Sequence, residues 1–142
     1  MKPLESTALT APFQWPVRVY WEDTDAGGVV FYANYLRFFE RARTEWLRQA
    51  GVEQQALREQ TGGMFVVSDV QVRYLRPARL DDLLTITAQR QSTGRAAITL
   101  HQQALRADDG SLLCEATVRI GWVDGATLRP ARLPEFLLQR LP

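Results

Sequence analysis

Between residues 22 and 35 the chain reads Glu-Asp-Thr-Asp-Ala-Gly-Gly-Val-Val-Phe-Tyr-Ala-Asn-Tyr, setting two aspartates beside a glycine pair. A carboxylate can act as a general base or attack a carbonyl directly. Gly27 and Gly28 let the backbone take φ > 0 or approach a ligand closely. The helix-like stretch that begins near Tyr35 leaves its first N–H groups without intrahelical partners, and its dipole puts partial positive charge there. A base or nucleophile next to an oxyanion site is the chemistry this spacing supports. The plainer role of the same residues is a capped turn, since Asp commonly precedes helices and Gly-Gly commonly marks a bend.

The elements that must hold this segment follow from periodicity. An apolar, β-branched and aromatic run predicts a first strand over 17–21. A helix is expected from Asn34, a good N-cap, to Gly51, a good C′ residue, with Tyr35, Phe39, Ala42, Trp46 and Ala50 on one stripe. Arg41 with Glu45, and Glu45 with Arg48, are placed to pair along its other face. A shorter helix over 53–60 ends at Thr61-Gly62-Gly63. The period then becomes two. Val66, Ser68, Val70, Val72 and Tyr74 share one face of a strand, followed by Leu84, Ile86 and Ala88, then Ile98, Leu100 and Ala104. Leu112, Cys114, Ala116, Val118, Ile120 and Trp122 give the clearest alternation. Asp108-Asp109-Gly110-Ser111 and Thr93-Gly94-Arg95 read as turns. One strand, a long helix and four strands predict an α+β antiparallel sheet laid over one helix.

At 142 residues the chain fits one domain, with a flexible arm over 1–15 and the folded unit over 16–142. A net charge of +1 argues against a nucleic-acid partner. Lys2 is the only lysine, so arginine carries nearly all the positive charge. Cys114 is the only cysteine, which points to a reducing, cytoplasmic setting. No stretch reads as a signal peptide or a membrane helix. One histidine and one cysteine do not make a zinc cluster, and no glycine-rich nucleotide loop occurs; no metal or cofactor is expected. His101, mid-strand on the parity opposite Leu100, reads as a solvent-facing or interface residue.

The string Asp-Thr-Asp-Ala-Gly-Gly-Val-Val, with Tyr-Ala-Asn-Tyr and Phe-Glu-Arg-Ala-Arg-Thr-Glu behind it, resembles the 4-hydroxybenzoyl-CoA thioesterase-like branch of the hotdog superfamily. Within that branch it is most similar to the acyl-CoA thioesterases associated with the tol-pal gene cluster. Phe65-Val66-Val67-Ser68, the run from Arg76 to Asp82, and Pro130-Ala131-Arg132-Leu133-Pro134 support the resemblance, which spans about residues 16–138.

The resemblance implies a hotdog fold, a homodimer or homotetramer with its site between subunits, and hydrolysis of an acyl-CoA thioester. It implies Asp25 as the catalytic carboxylate and the main-chain N–H of Tyr32 as oxyanion donor. Gly27 and Gly28 would line the substrate. Arg95 matches a position that contacts CoA phosphates, with Arg76 and Arg79 as alternatives. Asp23 is expected to support the loop through hydrogen bonds. Tyr32 stands where tol-pal-type members commonly carry His, which favours an aromatic or short acyl group. Glu40, inside the helix, is a fallback carboxylate or an ion-pair partner for Arg37 or Arg43. The other reading is a hotdog protein that binds acyl-CoA or an acyl carrier protein as a scaffold.

Overall fold

The computed structural model describes residues 11–142. Strand β1 (Phe13–Arg18) leads through a 3-10 turn (Trp21–Asp23) and a second one (Tyr32–Asn34) into helix α1 (Tyr35–Gln49). Helix α2 (Gln54–Thr61) is followed by β2 (Gly63–Tyr74), β3 (Leu83–Thr93), β4 (Ala97–Arg106), β5 (Leu112–Asp124) and helix α3 (Glu135–Arg140). The five strands form one antiparallel sheet in the order β1-β3-β4-β5-β2. Helix α1 lies across β1, β3 and β4. Its buried stripe (Tyr35, Phe38, Phe39, Ala42, Trp46, Leu47) meets Leu84, Ile86, Ile98, Leu100 and Val118 in one core. This is the expected α+β hotdog layout, with the sheet curled round one helix.

Three expectations are corrected. The first strand runs over 13–18, not 17–21, so residues 13–15 of the expected arm are paired with β3; residues 1–10 of that arm lie outside the described residues. Pro16 is tolerated because β1 is an edge strand, where a missing N–H costs the ladder nothing. In β2 a bulge at Ser68 flips the parity. Before it Phe65 and Val67 oppose Trp122 and Ile120; only beyond it do Val70, Val72 and Tyr74 take that face. A second irregularity opposite Leu105 makes Leu113, fully buried, the core residue in place of Leu112.

Gly63 opens β2 directly under the Trp122 indole, where an added Cβ would overlap the ring. Gly63→Ala is therefore expected to destabilise the fold by about 1–3 kcal/mol, as overpacked cores do, seen as a lower midpoint in thermal unfolding.

Candidate active site

The segment from Thr24 to Val30 folds into a tight turn closed by an antiparallel bridge between those two residues. The Asp25 N–H donates to Val29 O at 2.9 Å and Gly28 N–H to Asp25 O at 3.0 Å. Gly28 sits at φ +79°, a conformation that a side chain strains, which is why glycine stands there. Gly27 donates its N–H to Asp25 Oδ1 at 2.8 Å. That leaves Asp25 Oδ2 without a partner among the described residues, on an exposed side chain.

Two fixtures hold this turn. Asp23 is buried and accepts from Tyr20 N–H and from the Asn34 side-chain amide, each at 2.8 Å, while its carbonyl accepts Phe31 N–H at 2.9 Å. It clasps the turn to the start of α1, as expected. Asn34 is thereby corrected: it is helical (φ −70°, ψ −21°), and its side chain serves Asp23 instead of capping α1. On the other side the turn is stitched to residues 78–80 by Val30 N–H to Ala78 O (2.8 Å) and a bridge from Val29 to Arg79. That segment is clamped in turn by Arg106, whose guanidinium reaches Asp82 Oδ2 (3.4 Å) and Pro77 O (3.0 Å).

At the start of the second 3-10 turn, the N–H groups of Tyr32 and Ala33 donate to nothing among the described residues. Aromatic rings cluster at this turn: Phe31 and Tyr32 at 4.8 Å between centroids, Tyr32 and Tyr74 at 6.2 Å. The rings of Phe31, Tyr32 and Tyr74 are about half or more exposed. A carboxylate oxygen, two free amide donors and an apolar wall are what attack on a carbonyl needs.

The sequence matches the thioesterase-like superfamily over residues 19–141. The chain belongs to this superfamily. It is 45% identical to the acyl-CoA thioester hydrolase YbgC of Escherichia coli, across 91% of this chain and 95% of that one. It is 44% identical to the acyl-CoA thioesterase YbgC of Haemophilus influenzae, across 87% and 89%. A probable thioesterase from Bartonella henselae is 36% identical with a TM-score of 0.80, covering 87% of this chain and 100% of that one. A 1,4-dihydroxy-2-naphthoyl-CoA thioesterase from Synechocystis, at 19% identity and TM-score 0.85 over 92% and 96%, shares the fold.

Within this thioesterase-like protein Asp25, Gly27 and Gly28 share one turn, Tyr32 follows two residues after the Thr24–Val30 bridge that closes it, and Arg95 lies elsewhere. Asp25 sits just before the start of β3, where Gly28 O accepts Leu80 N–H, whereas Arg95 follows the far end of that strand. The eleven residues of β3, a length of about 33 Å at about 3.3 Å per residue, run between the two ends. Glu40 forms no ion pair with Arg37 or Arg43; it accepts the Thr44 hydroxyl at 2.6 Å, and Arg43 turns to Gln102 at 3.0 Å. Of the two expected helix pairs, Glu45–Arg48 forms at 3.2 Å and Arg41 instead lies over the Phe38 ring. His101 is half-buried on the outer face, 3.3 Å from Glu115, away from the site.

Nothing local in the sequence marks Tyr74 as bonding Tyr32, 42 residues earlier, or Arg106 as bonding the loop at Pro77 and Asp82, 29 and 24 residues earlier. A groove of about 920 Å³ lies between β1, the end of α1 and α3. Among the described residues its lining carries Arg90 and Arg140 and no Asp or Glu side chain.

Proposed function

We propose that the protein hydrolyses the thioester of a short-chain or aromatic acyl-CoA to the free acid and CoA, with Asp25 as base or nucleophile. The observation that carries this is the divided role of the Asp25 carboxylate, one oxygen held by Gly27 and the other open, close in sequence to the unpartnered N–H groups at the helix start. As base, Oδ2 takes a proton from the water that attacks the thioester carbonyl. As nucleophile it forms a mixed anhydride and expels the CoA thiolate, and water then cleaves the anhydride. In either route the carbonyl oxygen gains negative charge, which the Tyr32 N–H and the helix dipole stabilise. Gly27 and Gly28 leave room beside the carboxylate for the thioester. Kinship with proteins named as acyl-CoA thioesterases supports the substrate class. The rings of Phe31, Tyr32 and Tyr74 support a flat or short acyl group.

We also propose that the working unit is at least a homodimer, joined through β2. This strand is at the sheet edge, and the apolar Val67 and Tyr74 stand about half exposed on it. The Tyr74 end of β2 is the Asp25 end of the subunit; the Gly63 end neighbours Arg95, through Gly125 N–H to Gly62 O and Trp122 N–H to Ala96 O. Antiparallel pairing of two β2 edges about a two-fold axis lays one end against the other. The partner's Arg95 is thereby brought toward this subunit's Asp25, where a guanidinium suits CoA phosphates. The cytoplasm is the proposed compartment, in keeping with a free, buried Cys114.

Thiol release from a panel of aliphatic and aromatic acyl-CoAs tests the activity. In the same assay Arg95→Ala is expected to raise KM about 5- to 10-fold with kcat little changed. A monomer in solution with full activity would sink the dimer. No release from any CoA ester would favour carrier-protein substrates or binding without turnover.

A further inference from the structure

Tyr74 closes β2, and its hydroxyl donates to the carbonyl oxygen of Tyr32 at 2.9 Å. That carbonyl belongs to the peptide joining Tyr32 to Ala33. Because a trans peptide is planar, with C=O and N–H on opposite sides, fixing the carbonyl fixes the Ala33 N–H, which is turned away from Tyr74. The Ala33 N–H is one of the two amide donors left open at the helix start. A hydrogen bond to the carbonyl also draws electron density off the amide, so its N–H becomes a stronger donor.

The hydroxyl has little freedom to do otherwise. The Tyr74 ring is set edge-on between Tyr32 (6.2 Å) and Tyr35 (5.7 Å), and the Tyr35 oxygen is itself fixed by Ala78 N–H at 3.1 Å. We propose that Tyr74 is a positioning residue of the active site: its hydroxyl orients and polarises the Tyr32–Ala33 peptide, making Ala33 N–H a second oxyanion donor beside Tyr32 N–H. This rests on the thioesterase reading of the site and adds to it a residue from the far side of the sequence. Partial burial, with Cys114 and Tyr32 nearby, pushes the Tyr74 phenol above its ordinary value, so the donor persists into alkaline solution.

Tyr74→Phe keeps the ring contacts and deletes the one bond. It is expected to lower kcat about 3- to 10-fold, the equivalent of one hydrogen bond, with KM within about twofold. Replacing Tyr74 by 3,5-difluorotyrosine keeps the bond but makes the phenol more acidic. The alkaline fall in kcat is then expected to move to lower pH by as much as the fluorines lower the phenol, a shift that packing alone would not give. Wild-type kcat in the Phe variant, or an unmoved alkaline limb in the fluorinated one, overturns the assignment while leaving Asp25 untouched. A wild type that releases no thiol overturns the thioesterase reading and this inference with it.

Discussion

Asp25→Asn is expected to lower kcat for acyl-CoA hydrolysis by about 10²- to 10⁴-fold, the range over which a positioned base contributes. The variant isolates charge from shape. Asp25 Oδ1 accepts the Gly27 N–H, and an asparagine carbonyl oxygen can accept it equally; the turn's own bonds, Asp25 N–H to Val29 O and Gly28 N–H to Asp25 O, are main-chain. The side chain is exposed, so no burial is lost. What disappears is the negative charge on Oδ2, without which that atom neither takes a proton nor attacks. Tm should stay within about 2 °C of wild type, since substitutions that leave packing and hydrogen bonds intact cost about 0.5 kcal/mol or less. KM should change little. Retained turnover in the folded variant would move the base elsewhere, Glu40 being a carboxylate that α1 carries without an ion-pair partner among the described residues.

The turn proposed to carry this chemistry is legible because its signals are local. Asp-x-Asp-x-Gly-Gly lies within six residues, and Gly28 has the positive φ that glycine permits. The long helix was legible for the same reason, its apolar stripe reporting its buried face residue by residue. Positions whose roles depend on distant chain were not. Asn34 has the composition of a cap, but Asp23 eleven residues earlier claims its side chain. Ser68 sits in an unbroken alternation of sequence, yet a bulge there reverses which residues face the core, and a bulge leaves no mark in the pattern it interrupts. Pro16 lies inside β1, an edge strand that has no need of its N–H. Arg95 is the limiting case: it stands at the end of the sheet away from the Asp25 turn, and its proposed place in the site depends on a second copy of the chain, which no local pattern can report.

The largest stability effect is expected at Gln102, which the alternation of β4 places on the core face between Leu100 and Ala104, where an apolar residue would be usual. It is fully buried and fully bonded. Its Nε2 donates to Phe39 O at 3.0 Å and to Thr87 O at 3.1 Å, and its Oε1 accepts from Arg43 Nη1 at 3.0 Å. The ladder between β3 and β4 is modified here, with Gln103 N–H donating to the Thr87 hydroxyl at 2.9 Å. One side chain thus fastens α1 to two strands and sets where the helix, and so the Tyr32 amide at its start, lies over the sheet.

Gln102→Leu fills the same space but leaves Thr87 O and a largely buried guanidinium without partners. Burial already holds the Arg43 pKa below its ordinary value, so an acceptor lost there is felt strongly. The expected cost is about 2–4 kcal/mol in urea unfolding. The double variant Arg43→Leu with Gln102→Leu should be less destabilised than the sum of the two singles, because removing both partners strands fewer polar groups than removing either alone. Strict additivity in that cycle would mean that Gln102 acts by filling volume, and that the Arg43 contact contributes nothing to holding the helix in place.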